Sequence, residues 1–140
     1  MDYRRFEDVI YLRLNPGEEI IEKLTEVIEK EHISLGSVKG IGATDKFTVG
    51  LYSLKDKKYM SSTYEGEFEI VSLIGNITQK DGKPYIHLHI GCADKNNDMK
   101  GGHLNYCRIS ATCEIQIFLS KGVVEREVDK VTGLNIFSFR

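Results

Sequence analysis

Three of the chain's four histidines, His87, His89 and His103, fall within 17 residues of one another. Neutral imidazole is among the commonest ligands for a first-row divalent ion. Two of the three sit in Pro84-Tyr85-Ile86-His87-Leu88-His89-Ile90-Gly91. In a strand, successive side chains point to opposite faces, so Ile86, Leu88 and Ile90 share one face. His87 and His89 share the other, about 7 Å apart at the backbone. Gly101-Gly102-His103 offers a third imidazole across a short loop, where paired glycines allow a tight path or a positive φ that aims His103 back at the pair. Three neutral imidazoles suit one zinc per chain, with other first-row divalent ions also accommodated, and leave one coordination position open. The competing reading is two solvent-facing histidines and an unrelated loop histidine. His32 follows a helix and reads as a surface or cap residue.

Ligating histidines usually donate their second N–H to a carboxylate or carbonyl. Glu69, Glu114 and Asp94 are the candidates in neighbouring segments, each with a salt-bridged or solvated role as its alternative. No acid–base pair is spaced to nominate a catalytic residue. Cys92, Cys107 and Cys113 lack Cys-x-x-Cys spacing and read as reduced thiols. Cys113 alternates with Ile115, Ile117 and Leu119 and so belongs to the core. Gly40-Ile41-Gly42-Ala43-Thr44-Asp45 lacks the third glycine of a dinucleotide fingerprint and leads into strand-like sequence, so it is read as a turn. Lys55-Asp56-Lys57-Lys58 is read as a charged, solvated turn rather than a phosphate site.

The elements that must position the histidines are mostly strands. Phe6 to Leu14 has strand character, and a helix follows. Asn15-Pro16-Gly17-Glu18 supplies a cap, a proline at the first helical position and a glutamate able to reach back to the cap amide. Ile20, Ile21, Leu24, Val27 and Ile28 then form one apolar stripe. Phe47, Val49 and Leu51 alternate, as do Tyr59 to Tyr64 more weakly. Phe68 to Thr78 is a long β-prone run in which Gly75 marks a bulge or a close backbone approach. Asp81-Gly82 is a turn, Tyr85 to Gly91 a strand, and Leu104 to Leu119 the last long strand. One helix cannot cover both faces of so many strands. The expected fold is α+β, a mostly antiparallel sheet flanked by one main helix, with a face left for self-association.

A chain of 140 residues has room for one domain, here 1–140, and no linker or repeat interrupts it. The net charge of −2 provides no global field for nucleic acid or an anionic membrane. The opening Met1-Asp2-Tyr3-Arg4-Arg5-Phe6-Glu7-Asp8 is too charged for a signal peptide, and no apolar run approaches the roughly 18 residues of a membrane span. A cytoplasmic location is expected, with no membrane partner.

Gly66 to Ile77, then Asp81-Gly82-Lys83-Pro84-Tyr85-Ile86-His87-Leu88-His89, then Gly101-Gly102-His103-Leu104 resemble, in this order, the plants-and-prokaryotes-conserved (PPC) domain, stand-alone prokaryotic type. The likeness extends to Gly40-Ile41-Gly42-Ala43 and Thr112-Cys113-Glu114-Ile115. The resemblance implies an antiparallel sheet with a flanking helix, a homotrimer, and a metal, usually zinc, on His87, His89 and His103. In plants such domains accompany AT-hook DNA-binding motifs and mediate trimer formation and transcription-factor contacts. Prokaryotic relatives are called DNA-binding proteins mostly by that association. Two departures stand out. The plant Gly-Arg-Phe-Glu-Ile-Leu partner stretch reads Gly66-Glu67-Phe68-Glu69-Ile70-Val71, a charge reversal at Glu67, and no Arg-Gly-Arg-Pro core exists. The expectation is therefore a trimeric, metal-binding, regulatory module, with DNA as a partner by family association only. A metal-dependent hydrolase or lyase is the rival.

Overall fold

The computed structural model describes residues 1–139. Eight strands and one helix follow in the order β1 (Asp2–Phe6), β2 (Val9–Leu14), α1 (Ile20–Lys30), β3 (Gly36–Ser53), β4 (Lys58–Lys80), β5 (Lys83–Ala93), β6 (Met99–Leu119), β7 (Glu125–Val128) and β8 (Asn135–Ser138). All strand pairs are antiparallel. Six strands form one sheet in the order β1-β2-β6-β3-β4-β5, and β7-β8 is a separate hairpin. The α+β expectation holds, with a short helix and a dominant antiparallel sheet. Among the described residues no helix is long and apolar enough to cross a membrane.

The sheet curls until β5 also meets β6. Strands β3, β4, β5 and β6 thus close a ring, with the start of β6, Met99 to His103, paired to Ala93 to His89. Further along the same edge of β6, Cys113 to Phe118 pair with Leu14 to Val9. Between these stretches the chain entering the helix fills the edge. Gly17 N–H donates to the Ile109 carbonyl at 2.8 Å, Ile109 N–H to that of Glu18 at 2.9 Å, and Cys107 N–H to Glu19 Oε1 at 2.9 Å. Buried backbone donors and acceptors must be paired, and here a helix entrance does what a strand would otherwise do.

The helix begins later than its sequence signals suggest. Glu18 Oε2 does accept the Asn15 N–H, at 2.7 Å, as the capping pattern requires. Gly17, however, sits at φ +86, so this contact closes a turn rather than a helical one. Glu19 is the cap, its carboxylate accepting the Glu22 N–H at 2.7 Å. Ile20, Leu24, Val27 and Ile28 are buried against the sheet. At the far end His32, at φ +52, donates its N–H to Glu29, and Ile33 donates to Ile28. This is a Schellman closure with His32 at the left-handed position, so the cap role of His32 is observed.

Other boundaries shift for identifiable reasons. The strand expected over Phe6 to Leu14 begins at Val9, because Glu7 at φ +51 turns the chain in a hairpin that pairs it with β1. Gly40 to Ala43 lies inside β3, not in a turn. A Cβ at Gly42 would meet Thr112 O and Cys113 Cα, so the glycines allow β3 and β6 to approach closely at a run of bulges. Gly75 likewise marks close approach, since its register against Leu88 is regular and a Cβ there would collide with the His87 carbonyl oxygen. Lys55 to Lys57 and Asp81-Gly82 are turns, as expected.

Inside the ring and under the helix lies one core: Phe47, Leu73, Ile77, Ile115 and Ile117, with all three cysteines fully buried. The opposite face of the sheet carries exposed Tyr11, Ile41, Val71 and Ile74 around a groove of about 800 Å³. Gly75→Ala is expected to destabilise the fold by about 2 kcal/mol, the usual range for an intruding methyl in a packed interior. Chemical denaturation of the variant against the parent chain measures it.

Candidate metal centre

His87 and His89 project from β5 on the face opposite buried Leu88 and Ile90, the alternation expected of a strand. The third histidine arrives differently from the sequence expectation. Gly101 and Gly102 are not in a loop: they lie in β6, opposite Gly91 and Ile90, and His103 is the direct cross-strand partner of His89. A Cβ at Gly101 would crowd the Ile90 carbonyl oxygen at 2.5 Å, and one at Gly102 would meet that of Gly50 at 2.9 Å. The glycines let β6 squeeze between β5 and β3, so the close approach that closes the ring also delivers His103.

The three rings face one another, with centroids 5.2 Å apart for His87–His89, 4.9 Å for His87–His103 and 5.6 Å for His89–His103. One nitrogen from each lies within 4.8 Å of the others. Zinc with Zn–N bonds of about 2.0–2.1 Å sets its nitrogens roughly 3.4 Å apart, so small ring rotations close the set. His87 and His103 are half-buried and His89 is exposed, leaving one side of the cluster accessible. The group can hold a metal, and the donor set fits zinc chemistry.

Burial holds the His87 imidazolium down to a pKa of about 4, with the neighbouring His103, Arg126 and His89 acting in the same direction. His103 is also lowered, by burial first and His89 second. Desolvation disfavours the charged ring and so preserves the lone pair a metal needs. The cysteines are at the other extreme. Burial pushes Cys92, Cys107 and Cys113 up to about 12, and they act as core residues rather than ligands.

The expected carboxylate supports do not meet the histidines. Glu69 pairs opposite Ala93, four residues beyond His89 on β5, about 13 Å along a strand. Glu114 lines the 800 Å³ groove beside Arg13, and Asp94 accepts N–H bonds from Asn96 and Asp98 in its own loop. Three other residues surround the site instead. Asn76 is the cross-strand partner of His87. Arg126, from β7, donates to Asn76 Oδ1 at 2.7 Å and to Thr78 Oγ1 at 2.8 Å. Tyr59 crosses side-chain-free Gly50 to donate to Asn105 Oδ1 at 2.7 Å, edge-on to His103. The one signal for Asn76 in the sequence is a lone amide in the apolar run Ile74-Gly75-Asn76-Ile77; nothing local flags Arg126 or Tyr59.

The model of the Plants and Prokaryotes Conserved (PCC) domain matches residues 1–120. The chain belongs to this family. Among solved structures, the PCC chain is 28% identical to a candidate DNA-binding protein from Bacteroides thetaiotaomicron, at a TM-score of 0.95 over 99% of this chain and 96% of that one. It is also 28% identical to a metal-containing protein from Archaeoglobus fulgidus, at a TM-score of 0.86 over 98% and 96% of the two chains. Acetolactate decarboxylase from Bacillus subtilis, 13% identical, shares the fold alone, at a TM-score of 0.58 over 83% of the PCC chain and 54% of the enzyme. No curated protein matches the PCC chain in sequence.

The depressed pKa of His87 lies below its unfolded value, so its contribution to stability is present above about pH 6.5 and lost as pH falls toward about 4. NMR titration of the metal-free protein should find the His87 ring still neutral at pH values where an ordinary histidine is mostly protonated. Replacing Arg126 by Leu removes a nearby positive charge and should raise that midpoint.

Proposed function

We propose that the chain is a metal-binding PCC module that works as a homotrimer in a regulatory, transcription-associated role. Zinc is the metal best matched to its three imidazoles. The observation that carries the reading is the meeting of His87, His89 and His103 from two strands, with a nitrogen from each within 4.8 Å. The metal-containing relative from A. fulgidus supports it. A bound zinc would bridge the neutral rings and tie β5 to β6, so metal and fold would stabilise one another.

The exposed sheet face supports self-association. Ile41 and Ile74 are 59% and 56% exposed, beside Val71 and Tyr11, and contiguous apolar surface of this kind marks interaction sites. The relatives' DNA-binding description extends here only as association with transcription. The groove mixes Arg4, Arg13 and Lys39 with Asp2 and Glu114, and the chain's net charge is −2, so neither favours a phosphate backbone along this face.

The hydrolase or lyase reading draws on the accessible side of the cluster, because a zinc with an open position acidifies a coordinated water. It lacks a carboxylate beside the rings, since Glu69 and Glu114 lie elsewhere. It therefore stands second.

Metal analysis should find about one zinc per chain, lost on His87→Ala, His89→Ala or His103→Ala and retained in His32→Ala. Retention after loss of any of the three would overturn the assignment. Light scattering should give about 48 kDa, three times the 15.9 kDa chain; a monomer at micromolar concentration removes the trimer. Duplex DNA should not be shifted at the roughly 10⁻⁸ M typical of specific complexes.

A further inference from the structure

The polar surroundings of the three histidines are arranged for one sign of charge. Arg126 is only 8% exposed, clamped between the rings of Tyr85 and Phe137 at 4.5 and 4.7 Å from their centroids. Its Nε donates to Thr78 Oγ1, one Nη to the Asn135 carbonyl at 2.8 Å and the other to Asn76 Oδ1. A guanidinium has donors only, so the Asn76 amide is oriented by it: oxygen toward Arg126, Nδ2 away. Among the described residues the Nδ2 donors have no hydrogen-bond partner.

Asn76, His87 and His89 line one cavity of about 380 Å³, whose remaining walls are Val38, Ile74 and Gly75. No carboxylate contributes to it. A cation on the imidazoles, an amide presenting donors and a guanidinium behind that amide make a place for a negatively charged oxygen ligand. Val38 and Ile74 supply an aliphatic wall, and the volume suits a small molecule. Arg126 comes from β7 of the terminal hairpin, beyond the 1–120 span of the family match.

We infer that the open position beside His87 and His89 takes a small aliphatic carboxylate, held by the Asn76 Nδ2 donors, with Arg126 as the positioning residue that orients them. This rests on the metal reading above. The test uses the full chain loaded with cobalt(II), whose visible absorption reports its ligands, titrated near neutral pH with acetate and separately with neutral imidazole. Asn76→Ala and Asn76→Asp remove the donors, the second while keeping a partner for Arg126. Arg126→Lys keeps the charge and loses the fork. All three should weaken acetate about tenfold or more, the scale of one hydrogen bond to a charged group. Cobalt and imidazole affinities should be unchanged in Asn76→Ala and Arg126→Lys, while the new carboxylate of Asn76→Asp should hold cobalt at least as tightly as the parent chain. Should Asn76→Ala fail to fold, Asn76→Asp decides. Acetate affinity equal to that of the parent chain in a folded Asn76 variant overturns the subsite alone. Failure of cobalt to bind the parent chain overturns the metal reading and this inference with it.

Discussion

The pairing of β5 with β6 is the contact on which the rest of the molecule depends. Without it the sheet would be an open ribbon ending in β5, with an unpaired edge and His103 far from its partners. With it, β3, β4, β5 and β6 form a closed ring, the core is enclosed, and His103 stands opposite His89. The constraint is steric. Strands approach this closely only where side chains are missing, and Gly101, Gly102 and Gly50 remove them at the junction, as Gly75 does on the neighbouring β4. The same glycines therefore serve the fold and the site, and neither can be altered without the other.

Closure also explains why one helix suffices. The edge of β6 is taken by β5 at one end and β2 at the other, and the chain entering α1 bonds the stretch between. Glu19 serves twice, capping its own helix with one carboxylate oxygen and accepting the Cys107 N–H with the other. The helix is thereby anchored at its entrance, and its stripe of Ile20, Leu24, Val27 and Ile28 needs only to cover the ring's interior. The outer face has no such cover, which leaves an apolar groove next to the histidine cluster with Ile74 common to both.

At the cluster, burial and charge act together. Half-buried imidazoles remain neutral because the interior disfavours their cations, and the nearby guanidinium acts in the same direction on His87. Such a site is ready for a cation and hostile to a proton. The neighbours of the cluster are an amide and an arginine joined to each other rather than a carboxylate, which changes the kind of ligand an accessible metal would attract.

What the residues themselves determined is the local part. Alternation places His87 and His89 on one strand face because successive side chains of an extended chain must diverge. The 3.6-residue stripe from Ile20 to Ile28 demands a helix packed on apolar sheet, and the buried alternation of Cys113, Ile115 and Ile117 makes that cysteine core. The three-histidine set could be named from spacing and composition, and the family likeness from the ordered motifs around it. Tertiary structure alone decided how His103 reaches the pair, since a glycine pair reads equally as a loop or as a close strand crossing until the partner strand is known. It also placed Gly40 and Gly42 inside a strand, moved Glu69, Glu114 and Asp94 away from the histidines, and brought Asn76, Tyr59 and Arg126 to them. Those outcomes depend on contacts between residues 50 or more positions apart, such as Asn76 and Arg126 or Gly42 and Cys113. Local sequence carries no record of them, because bulges and ring closure set the register in which distant strands meet.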